Sequence, residues 1–464
     1  MVMKQKVHIK SYGCQMNVYD AERMVDVLAP IGYRATDTVD DADLVILNTC
    51  HIREKASEKV YSELGRLRLL RDKNRQSGRS LMIAVAGCVA QAEGEEILSR
   101  APFVDMVFGP QAYHRLPEMI ARVSRKSGKP LLTEFETRAK FDQLPQHQGL
   151  ESAQAFLTIQ EGCDKFCSFC VVPYTRGAEF SRPVADVVRE ARHLVANGVR
   201  EITLLGQNVN AYRGAMNDQA PWGLGRLIAE LEDINGLSRI RYTTSYPAEV
   251  DDELVRAHKD VKALMPFLHL PVQSGSDTIL KAMNRRHNAA EYRDLVKRLR
   301  QARPDLALSS DFIVGFPGET EADFQATLDL IKDVTYTQAY SFKYSPRPGT
   351  PAALMPMQVD EGVKSERLAR LQDLINRQQK TFNENCVGKS MAVLLDRKGR
   401  RDGQLVGRSP YMQAVHVDAP DNNLGRIVDV MITGAHANSL SAVLASENHA
   451  GNGAISQTPE RAHA

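Results

Sequence analysis

The sequence lacks a long uncharged apolar run and has almost no net charge. No stretch approaches the ~18 apolar residues that a membrane helix needs, and Met1–Lys10 lacks the apolar core of a signal peptide. We therefore expect a cytoplasmic protein with no membrane association. The formal net charge is only +2, so global charge gives no sign of a nucleic-acid binder, and any RNA contact must come from local basic patches.

Cysteine is also scarce, with seven residues among 464. In a cytoplasmic protein such a set is not expected to form a disulfide framework, and metal or redox chemistry is the better explanation. The length indicates about two to four domains, because single cores usually stop growing near about 250 residues. The hydrophobic and charged fractions, 43% and 25%, are typical of a globular protein, which we expect to be a monomer.

Residues 1–145 are predicted to form a parallel α/β domain, since short apolar runs alternate there with helical patterns such as Ala21–Leu28 and Glu54–Leu70. The predicted strands are Val7–Tyr12, Leu44–Asn48, Met82–Ala86 and Met106–Phe108. The polar stretch Ser124–Gln154, which contains prolines and a glycine, is predicted to be a domain linker.

Residues 150–378 contain six strand candidates, each followed by a helical pattern. The strands are Phe156–Gln160, Glu201–Leu205, Ile240–Ser245, Phe267–Pro271, Leu306–Val314 and Ala339–Tyr344. Six consecutive units of this kind predict an open, partial TIM-like (β/α)6 barrel with its active site at the carboxyl ends of the strands.

The last part of the chain changes character after an amphipathic connecting helix around Leu368–Phe382. Residues 379–445 are predicted to form a small all-β barrel, with strands at Met391–Leu395, Met412–Val417 and Ile427–Ile432. Residues 446–464 are rich in Asn, Gly, Ser and His, and they are predicted to be a disordered tail.

Three cysteines lie on one predicted loop directly after the first barrel strand, in the run Cys163-Asp-Lys-Phe-Cys167-Ser-Phe-Cys170. Their thiolates can hold three irons of a cubane cluster, and because such clusters normally take four cysteines, one iron stays open. An open iron can chelate the amino and carboxylate groups of S-adenosylmethionine, whose carbon–sulfur bond an electron from the cluster can break. The alternative is zinc, but structural zinc takes four ligands, and no fourth cysteine is near.

Three further cysteines each follow a predicted strand of the first domain and precede a helical segment. Cys14 follows the first strand, Cys50 the second and Cys88 the third. Because the ends of parallel strands share one edge of a sheet, we expect these thiols to converge, near helix amino termini that favour thiolates. The alternative for any one of them is a buried structural cysteine. As ligands, the three again leave one iron open, where the sulfur to be transferred can sit.

The loop resembles the Cys-x-x-x-Cys-x-x-Cys signature of the radical S-adenosylmethionine superfamily, in which an aromatic residue, here Phe169, lies beside the adenine of the cofactor. The two triads together resemble the methylthiotransferase family, which has an amino-terminal cluster domain, a radical domain and a carboxyl-terminal TRAM barrel. The resemblance extends to about Leu444. Runs that match its tRNA-2-methylthio-N(6)-dimethylallyladenosine synthase branch are Tyr12-Gly-Cys-Gln-Met-Asn17, Asn48-Thr-Cys50, Ala86-Gly-Cys-Val-Ala-Gln91, Glu161-Gly-Cys163, Val171-Val-Pro-Tyr-Thr-Arg-Gly177, Gly206-Gln-Asn-Val-Asn210 and Tyr344-Ser-Pro-Arg-Pro-Gly-Thr350.

This resemblance implies an enzyme that adds a methylthio group to carbon 2 of N(6)-dimethylallyladenosine at position 37 of tRNA, near the anticodon. It implies two 4Fe-4S clusters and S-adenosylmethionine as cofactors, a reductant protein such as a flavodoxin or ferredoxin, and no catalytic residue beyond the cluster ligands. The branch that modifies a ribosomal protein differs in the Gln15-Met16 segment and around Ser345–Gly349, which favours tRNA as the substrate. One departure from the expected pattern is Ala178-Glu179-Phe180, where a shorter Glu-Ser-Arg run is expected.

Polar residues and glycines at the predicted strand ends are candidates for cofactor binding. Gly206 and Gln207 end the second barrel strand, Ser245 the third, and Gln273 follows the fourth. The run from Ile313 to Glu319, with Gly315 in it, matches the superfamily's fifth-strand motif, which packs near adenine. The alternative for each residue is ordinary turn chemistry.

Two basic clusters are candidates for contact with RNA. The final barrel contains Arg397, Lys398, Arg400, Arg401 and Arg408, and TRAM domains resemble other small barrels that bind RNA with a basic loop. The first domain contains Arg66, Arg68, Arg71, Lys73, Arg75 and Arg79. The alternative for both is a solvated charged face.

Two other functions stay open at the level of sequence. The same chemistry can act on a protein side chain or on a threonylcarbamoyl-type adenosine. A protein of another class, a non-catalytic RNA binder, would use the cysteines as scaffold or sensor sites.

Overall fold

The computed structural model describes residues 5–50, 56–135, 137–147, 152–216 and 219–445. The chain divides into two compact units, one that ends at Gln378 and one that begins at Gln379. Among the described residues, no helix is both long and apolar enough to span a bilayer. The tail predicted at 446–464 lies outside the described residues.

The first domain is a six-stranded parallel sheet with the strand order β2-β1-β3-β4-β5-β6. Its elements are β1 (Gln5–Ser11), α1 (Gln15–Leu28), β2 (Tyr33–Ala35), β3 (Leu44–Thr49), α2 (Ala56–Gln76), β4 (Met82–Gly87), α3 (Cys88–Arg100), β5 (Met106–Phe108), α4 (Leu116–Ser124), β6 (Leu131–Leu132) and α5 (Thr137–Gln143). Every residue of β3 is buried, as expected for a parallel strand covered by helices on both faces.

The predicted linker contains structure that its polar sequence did not indicate. β6 adds to the sheet by pairing in parallel with β5, and α5 follows it. Lys140 of α5 is fully buried and forms an ion pair with Glu161. A charged partner elsewhere in the chain therefore compensates the burial of this lysine, and polarity alone is a poor guide to such a segment.

Six parallel strands form the open barrel, in two hydrogen-bonded groups of three. The elements are β7 (Gln154–Thr158), β8 (Gln160–Glu161), α6 (Val172–Arg176), β9 (Phe180–Ser181), α7 (Val184–Ala196), β10 (Glu201–Leu205), β11 (Gly214–Met216), β12 (Gln219–Trp222), α8 (Leu224–Glu232), β13 (Arg239–Tyr242), α9 (Asp252–Asp260), β14 (Phe267–His269), α10 (Asp277–Ala282), α11 (Ala289–Ala302), β15 (Ala307–Val314), α12 (Glu321–Val334), β16 (Gln338–Lys343) and α13 (Glu361–Glu384).

The two groups, β7-β10-β13 and β14-β15-β16, are joined by a parallel bridge between Ile240 and Leu264. Helices α7, α8, α9, α11 and α12 bury aliphatic side chains against the outside of the strands. The carboxyl ends of the strands thus open to one side, as the sequence predicts.

The second unit contains a closed five-stranded barrel with the order β17-β18-β19-β21-β20. Its strands are β17 (Ser390–Lys398), β18 (Gln404–Arg408), β19 (Ala414–Asp418), β20 (Ile427–Ala435) and β21 (Ser439–Leu444). Closure leaves no free strand edge, and the predicted small β-barrel is confirmed. Cys386 is buried in its apolar core, where it serves packing.

Candidate functional site

The three cysteines of the first domain meet at the carboxyl edge of its sheet. Cys14 is the residue before α1, Cys50 follows β3, and Cys88 is the first residue of α3. All three line one cavity of about 150 Å³. The parallel strands β1, β3 and β4 are neighbours, which brings together three side chains that lie far apart in the sequence.

Two glycines allow the backbone to come this close. Gly13 has a φ of +116°, and a Cβ at that position would lie 2.3 Å from Cys50 Cβ and 2.7 Å from Cys50 Sγ. Gly87, with a φ of +89°, would place a Cβ 2.3 Å from the carbonyl oxygen of Thr49. Each glycine therefore supplies both a backbone conformation and a space that a side chain would take away.

Asn17 fastens α1 to the end of β3 beside the cysteines. Its Nδ2 donates to Asn48 Oδ1 at 3.1 Å and to the Thr49 carbonyl oxygen at 2.9 Å. Asn48 Nδ2 in turn donates to the Asn17 carbonyl oxygen at 2.7 Å. These buried hydrogen bonds hold the Cys14 and Cys50 segments in register.

The cysteines of this triad have unequal proton affinities. A hydrogen bond with Cys50 lowers the pKa of Cys14 to about 6, against the opposing effect of burial. Burial raises the pKa of the Cys88 thiol, and the nearby Arg176 guanidinium counteracts part of that rise. Thiolates are the form that binds iron, so a positive group beside the thiols favours the ligand state.

The barrel supplies the other wall of the same cavity. Gly206 and Gln207 line it, together with Thr243 and Thr244 from the end of the third strand. Gln207 Oε1 accepts a hydrogen bond of 2.6 Å from the backbone N–H of Gly162, next to Cys163. Two of the predicted cofactor-binding residues thus lie between the two cysteine groups.

The second triad lies on the loop between β8 and α6. Cys163 N–H donates to the Gly177 carbonyl oxygen at 3.1 Å, and Cys170 N–H donates to the Cys167 carbonyl oxygen at 2.9 Å. Phe166 has a positive φ of 49°, an unusual value for a bulky residue. Burial raises the pKa of Cys163 to about 11 and that of Cys170 to about 12, so without iron these thiols stay protonated.

Residues around Asn284 support this loop from the barrel side. Asn284 Nδ2 donates to the Phe166 carbonyl oxygen at 2.9 Å, and Arg285 Nη1 approaches Cys167 Sγ at 3.6 Å. Arg285 also stacks on the Tyr246 ring, 4.3 Å from its centroid. Hydrogen bonds to cluster sulfurs tune reduction potential, so Arg285 is well placed to do so.

The remaining predicted cofactor residues lie around the barrel mouth. Phe169 packs in one apolar cluster with Ile313 and Phe316 of the fifth-strand motif. Gly315 has a φ of +70°, and a Cβ there would lie 2.3 Å from Lys364 Cγ, so close packing as well as the turn requires glycine. Ser245 is buried, and its Oγ has no hydrogen-bond partner within the described part of the chain.

Gln273 has a role in the backbone that the sequence did not indicate. Its φ is +79°; its N–H donates to the Asp311 carbonyl oxygen at 3.0 Å, and its own carbonyl oxygen accepts from Ile313 N–H at 3.0 Å. These bonds fix the segment after β14 to β15 at the barrel mouth.

Four of the basic residues of the β-barrel are exposed and Arg408 is half-buried, and three of the exposed ones have acidic neighbours. Arg397 lies 2.9 Å from Asp396, Lys398 lies 2.5 Å from Asp421, and Arg401 lies 3.3 Å from Asp418. Arg408 Nη1 donates to the Met412 carbonyl oxygen at 3.2 Å, and Arg400 is exposed. Exposed ion pairs of this kind are weak, so RNA phosphates can compete for these side chains.

The basic cluster of the first domain is less uniform than its sequence indicates. Arg71 is buried, donates to the Phe103 carbonyl oxygen at 2.6 Å and pairs with Asp105 at 3.6 Å. It is therefore a packing residue of α2. Arg66 is exposed and pairs with Glu63.

Two residues near the cysteines were missed by the sequence reasoning, Arg176 and Arg285. Arg176 lines the cavity of the first triad, and only 2% of its surface is exposed. Neither arginine differs in its sequence context from the many basic residues that lie on the surface of a protein. The only signal was the position of Arg176 in the run Val171–Gly177.

The donor set suits iron–sulfur clusters. In the described ranges no three His, Cys, Asp or Glu side chains converge on a single metal ion. A cubane cluster instead takes each thiolate on a different iron, and two separate sets of three thiols are present. Ser245 and the residues around the cavity leave polar groups available for S-adenosylmethionine.

Comparison with known proteins identifies the parts of the chain. Residues 6–109 match the uncharacterized protein family UPF0004, residues 157–331 the radical SAM superfamily and residues 384–445 the TRAM domain. Among solved structures, the radical S-adenosylmethionine methyltransferase TsrM from Kitasatospora setae, with cobalamin and a 4Fe-4S cluster bound, matches with a TM-score of 0.57 at 15% identity. The match covers 76% of this chain and 74% of that chain.

The cobalamin-dependent S-adenosylmethionine radical enzyme OxsB matches with a TM-score of 0.52 at 12% identity, over 81% of this chain and 56% of that chain. At these identities the two structures show a shared fold. The tRNA-2-methylthio-N(6)-dimethylallyladenosine synthase of Maricaulis maris (strain MCS10) is 59% identical over 445 residues, 95% of this chain and 97% of the relative. The predicted family is confirmed: this chain belongs to the tRNA-2-methylthio-N(6)-dimethylallyladenosine synthases of the radical SAM superfamily.

Proposed function

We propose that the chain is a radical S-adenosylmethionine methylthiotransferase that adds a methylthio group to carbon 2 of N(6)-dimethylallyladenosine at position 37 of tRNA. The observation that carries the proposal is the cavity shared by Cys14, Cys50 and Cys88 with residues of the barrel mouth. A sulfur held by the first triad would lie at the opening of the radical domain. Methylthio transfer requires one site that forms the radical and a neighbouring site that holds the sulfur.

Each triad has its own task in this proposal. Cys163, Cys167 and Cys170 hold the cluster that binds S-adenosylmethionine, and Cys14, Cys50 and Cys88 hold the second. When bound, the two 4Fe-4S clusters and S-adenosylmethionine supply the radical and the sulfur that the amino acids of this chain lack.

Protein side chains position and shield the reactants. Phe169 lies with the fifth-strand motif, where its ring can contact adenine, and Ser245 offers a buried hydroxyl at the mouth. The apolar side chains of Met16, Val172 and Leu205 exclude water from the shared cavity. The basic residues from Arg397 to Arg408 bind the phosphates of the tRNA.

We also propose a location, an oligomeric state, an electron donor and domain bounds for this enzyme. It is a cytoplasmic monomer that receives electrons from a protein such as a flavodoxin or ferredoxin. Its domains are 1–145, 150–378 and 379–445. The relative from Maricaulis maris supports the tRNA substrate over a protein side chain through its name.

Two triple variants test the division of labour. Replacing Cys163, Cys167 and Cys170 by Ala should abolish 5'-deoxyadenosine formation, because no cluster remains to bind and reduce the cofactor. Replacing Cys14, Cys50 and Cys88 by Ala should leave that cleavage intact but yield no methylthio nucleoside. Iron content, 5'-deoxyadenosine and tRNA nucleosides are measured after anaerobic reconstitution.

Specific results of these experiments would contradict the proposed roles of the cysteines or the proposed substrate. If the variant of Cys14, Cys50 and Cys88 keeps full iron and still makes the product, these cysteines are structural. Mass analysis of tRNA nucleosides from cells with and without the protein identifies the substrate. A lost threonylcarbamoyl-type nucleoside, or unchanged tRNA with a change in a ribosomal protein, would replace the proposed substrate.

A further inference from the structure

Two basic side chains of helix α13 pack against the turn that follows the fifth barrel strand. This turn runs from Gly315 to Glu319, between β15 and α12, within the run that matches the superfamily's fifth-strand motif. Lys364 lies so close to it that a Cβ on Gly315 would be 2.3 Å from Lys364 Cγ. Arg367, three residues further along α13, is only 5% exposed. A charged helix therefore covers the outer side of this turn.

Glu319 connects Arg367 to the backbone of Gly315. Glu319 Oε2 accepts a hydrogen bond of 2.7 Å from the Gly315 N–H, and the same oxygen accepts one of 2.8 Å from Arg367 Nη1. Arg367 Nη1 also donates to the Glu319 carbonyl oxygen at 3.0 Å. One carboxylate oxygen thus joins the first residue of the turn to α13, and the guanidinium binds the last residue through both its side chain and its backbone.

The burial of Glu319 makes this connection depend on the arginine. Only 1% of the Glu319 side chain is exposed. Burial raises the pKa of Glu319, and the Gly315 N–H and the Arg367 guanidinium both act against that rise. Removing one partner of a buried ion pair leaves the other charge uncompensated. Without Arg367, the carboxyl group would take up a proton or turn towards water, and either change would weaken its bond to Gly315, because charged acceptors form the stronger hydrogen bonds.

The turn carries an aromatic side chain that packs with the cysteine loop. Phe316 is fully buried and meets the Tyr344 ring edge-on, with centroids 5.3 Å apart. Phe169, which comes from the cysteine loop, and Ile313 belong to the same apolar cluster. The family resemblance implies that Phe169 and the fifth-strand motif lie beside adenine. The shape of the turn therefore sets one wall of the region expected to receive adenine.

We propose that Arg367 is a positioning residue for S-adenosylmethionine, which acts through Glu319 to hold the turn from Gly315 to Glu319 in the shape that receives adenine. This inference rests on the proposed binding of S-adenosylmethionine in the barrel. The cysteine loop is held by other groups, among them Asn284, which donates to the Phe166 carbonyl oxygen. Arg367 therefore affects the adenine end of the cofactor, and the methionine end, which binds at the open iron, is independent of it.

Two ligands with a thioether sulfur separate the two ends of the cofactor. S-adenosylhomocysteine contains adenine and the chelating amino acid, whereas L-methionine contains the chelating groups without adenine. Each is titrated into the full-length chain in which Cys14, Cys50 and Cys88 are replaced by Ala, so that only the loop cluster contributes to the electron paramagnetic resonance spectrum after reconstitution and reduction. Arg367→Gln should weaken S-adenosylhomocysteine binding by about 10-fold, as for other residues that orient a binding group from behind. The affinity for L-methionine should stay within about twofold of the parent value.

Arg370→Gln is the matched control. Arg370 also belongs to α13 and stacks on Phe324, 4.9 Å from the ring centroid, but it donates to the exposed Glu321 at 2.8 Å. Both affinities should therefore stay within about twofold of the parent values. Arg367→Lys keeps a positive charge for Glu319 and should bind S-adenosylhomocysteine more tightly than Arg367→Gln. Iron per chain and melting temperature are measured for every variant. If Arg367→Gln fails to fold, Glu319→Gln takes its place with the same expected loss, since Glu319 is the connecting residue.

Parent affinity for S-adenosylhomocysteine in Arg367→Gln, or in Glu319→Gln where that variant decides, would overturn the proposal. An equal loss for both ligands, or an equal loss in Arg370→Gln, would do so too, because it would show that the pair only stabilises the fold. Arg367→Lys that binds no more tightly than Arg367→Gln would exclude the charge as the cause. A parent chain that binds neither ligand would refute the proposed use of S-adenosylmethionine and this inference with it, whereas a parent that binds both leaves the variants to decide the role of Arg367.

Discussion

A single methyl group at Gly13 provides a sharp test of the amino-terminal triad. Gly13→Ala would place a Cβ 2.3 Å from Cys50 Cβ and 2.7 Å from Cys50 Sγ. Carbon and neighbouring heavy atoms prefer separations of about 3.5–4.0 Å, so Cys50 must retreat by about 1 Å. Metal sites tolerate ligand displacements of only about 0.2 Å. We therefore expect the cluster of Cys14, Cys50 and Cys88 to be lost.

Backbone strain must be separated from this steric effect. The φ of Gly13 is +116°, and an alanine in the left-handed region costs about 1–2 kcal/mol. Gly32 is a matched control, because its φ is +95° and no atom of the described residues lies within 4 Å of the position of an added Cβ. Gly32→Ala should show the strain alone and keep all of its iron.

The assay is iron content together with 5'-deoxyadenosine formation after anaerobic reconstitution. Gly13→Ala should hold about half of the parent iron and still cleave S-adenosylmethionine, because the loop triad is untouched. It should form no methylthio nucleoside. Full iron content and normal product in Gly13→Ala would refute the reasoning. Loss of iron in Gly32→Ala as well would assign the effect to strain in the domain.

Three other predictions follow from the same structure. Replacing Arg400 and Arg401 by Gln should weaken tRNA binding and flatten its salt dependence by about 0.9 per lost phosphate contact in a duplex, without affecting S-adenosylmethionine cleavage. The affinity is measured by titration at several salt concentrations. An unchanged slope would show that the barrel is not part of the binding surface. In the metal-free chain, the ultraviolet absorbance of the Cys14 thiolate should be present at pH 7 and disappear as the pH falls through about 6, and the Cys14→Ser variant should lack this transition. Because folding lowers the pKa of Cys14, its thiolate contributes to the free energy of unfolding at pH values above the unfolded-state pKa. That contribution is lost as the pH falls through about 6. Arg285→Gln removes an N–H near the sulfur of Cys167 and should make the reduction potential of the loop cluster more negative, as measured by redox titration. An unchanged potential would show that the contact has no electronic effect on the cluster.

The order of the elements was readable because local patterns carry it. Buried runs such as Leu44–Asn48 and Glu201–Leu205 lie within β3 and β10, since a parallel strand covered on both faces must be apolar along its length. The α5 helix was missed for the opposite reason. Among its described side chains the one that is buried, Lys140, pairs with Glu161, and a pairing between distant residues leaves no local pattern.

Sequence by itself determined the family, through the two cysteine triads and the runs that surround them, because cysteine spacing on one loop and cysteine position after a strand are both local features. It also determined that the ends of β1, β3 and β4 would share an edge, since parallel strands with helical crossovers point the same way. Tertiary structure alone decided that this edge faces Gly206 and Gln207 across one cavity, and that Arg176 is buried there against Asp20. Such contacts depend on how two domains pack, and an arginine that is desolvated by that packing looks the same in the sequence as one in water.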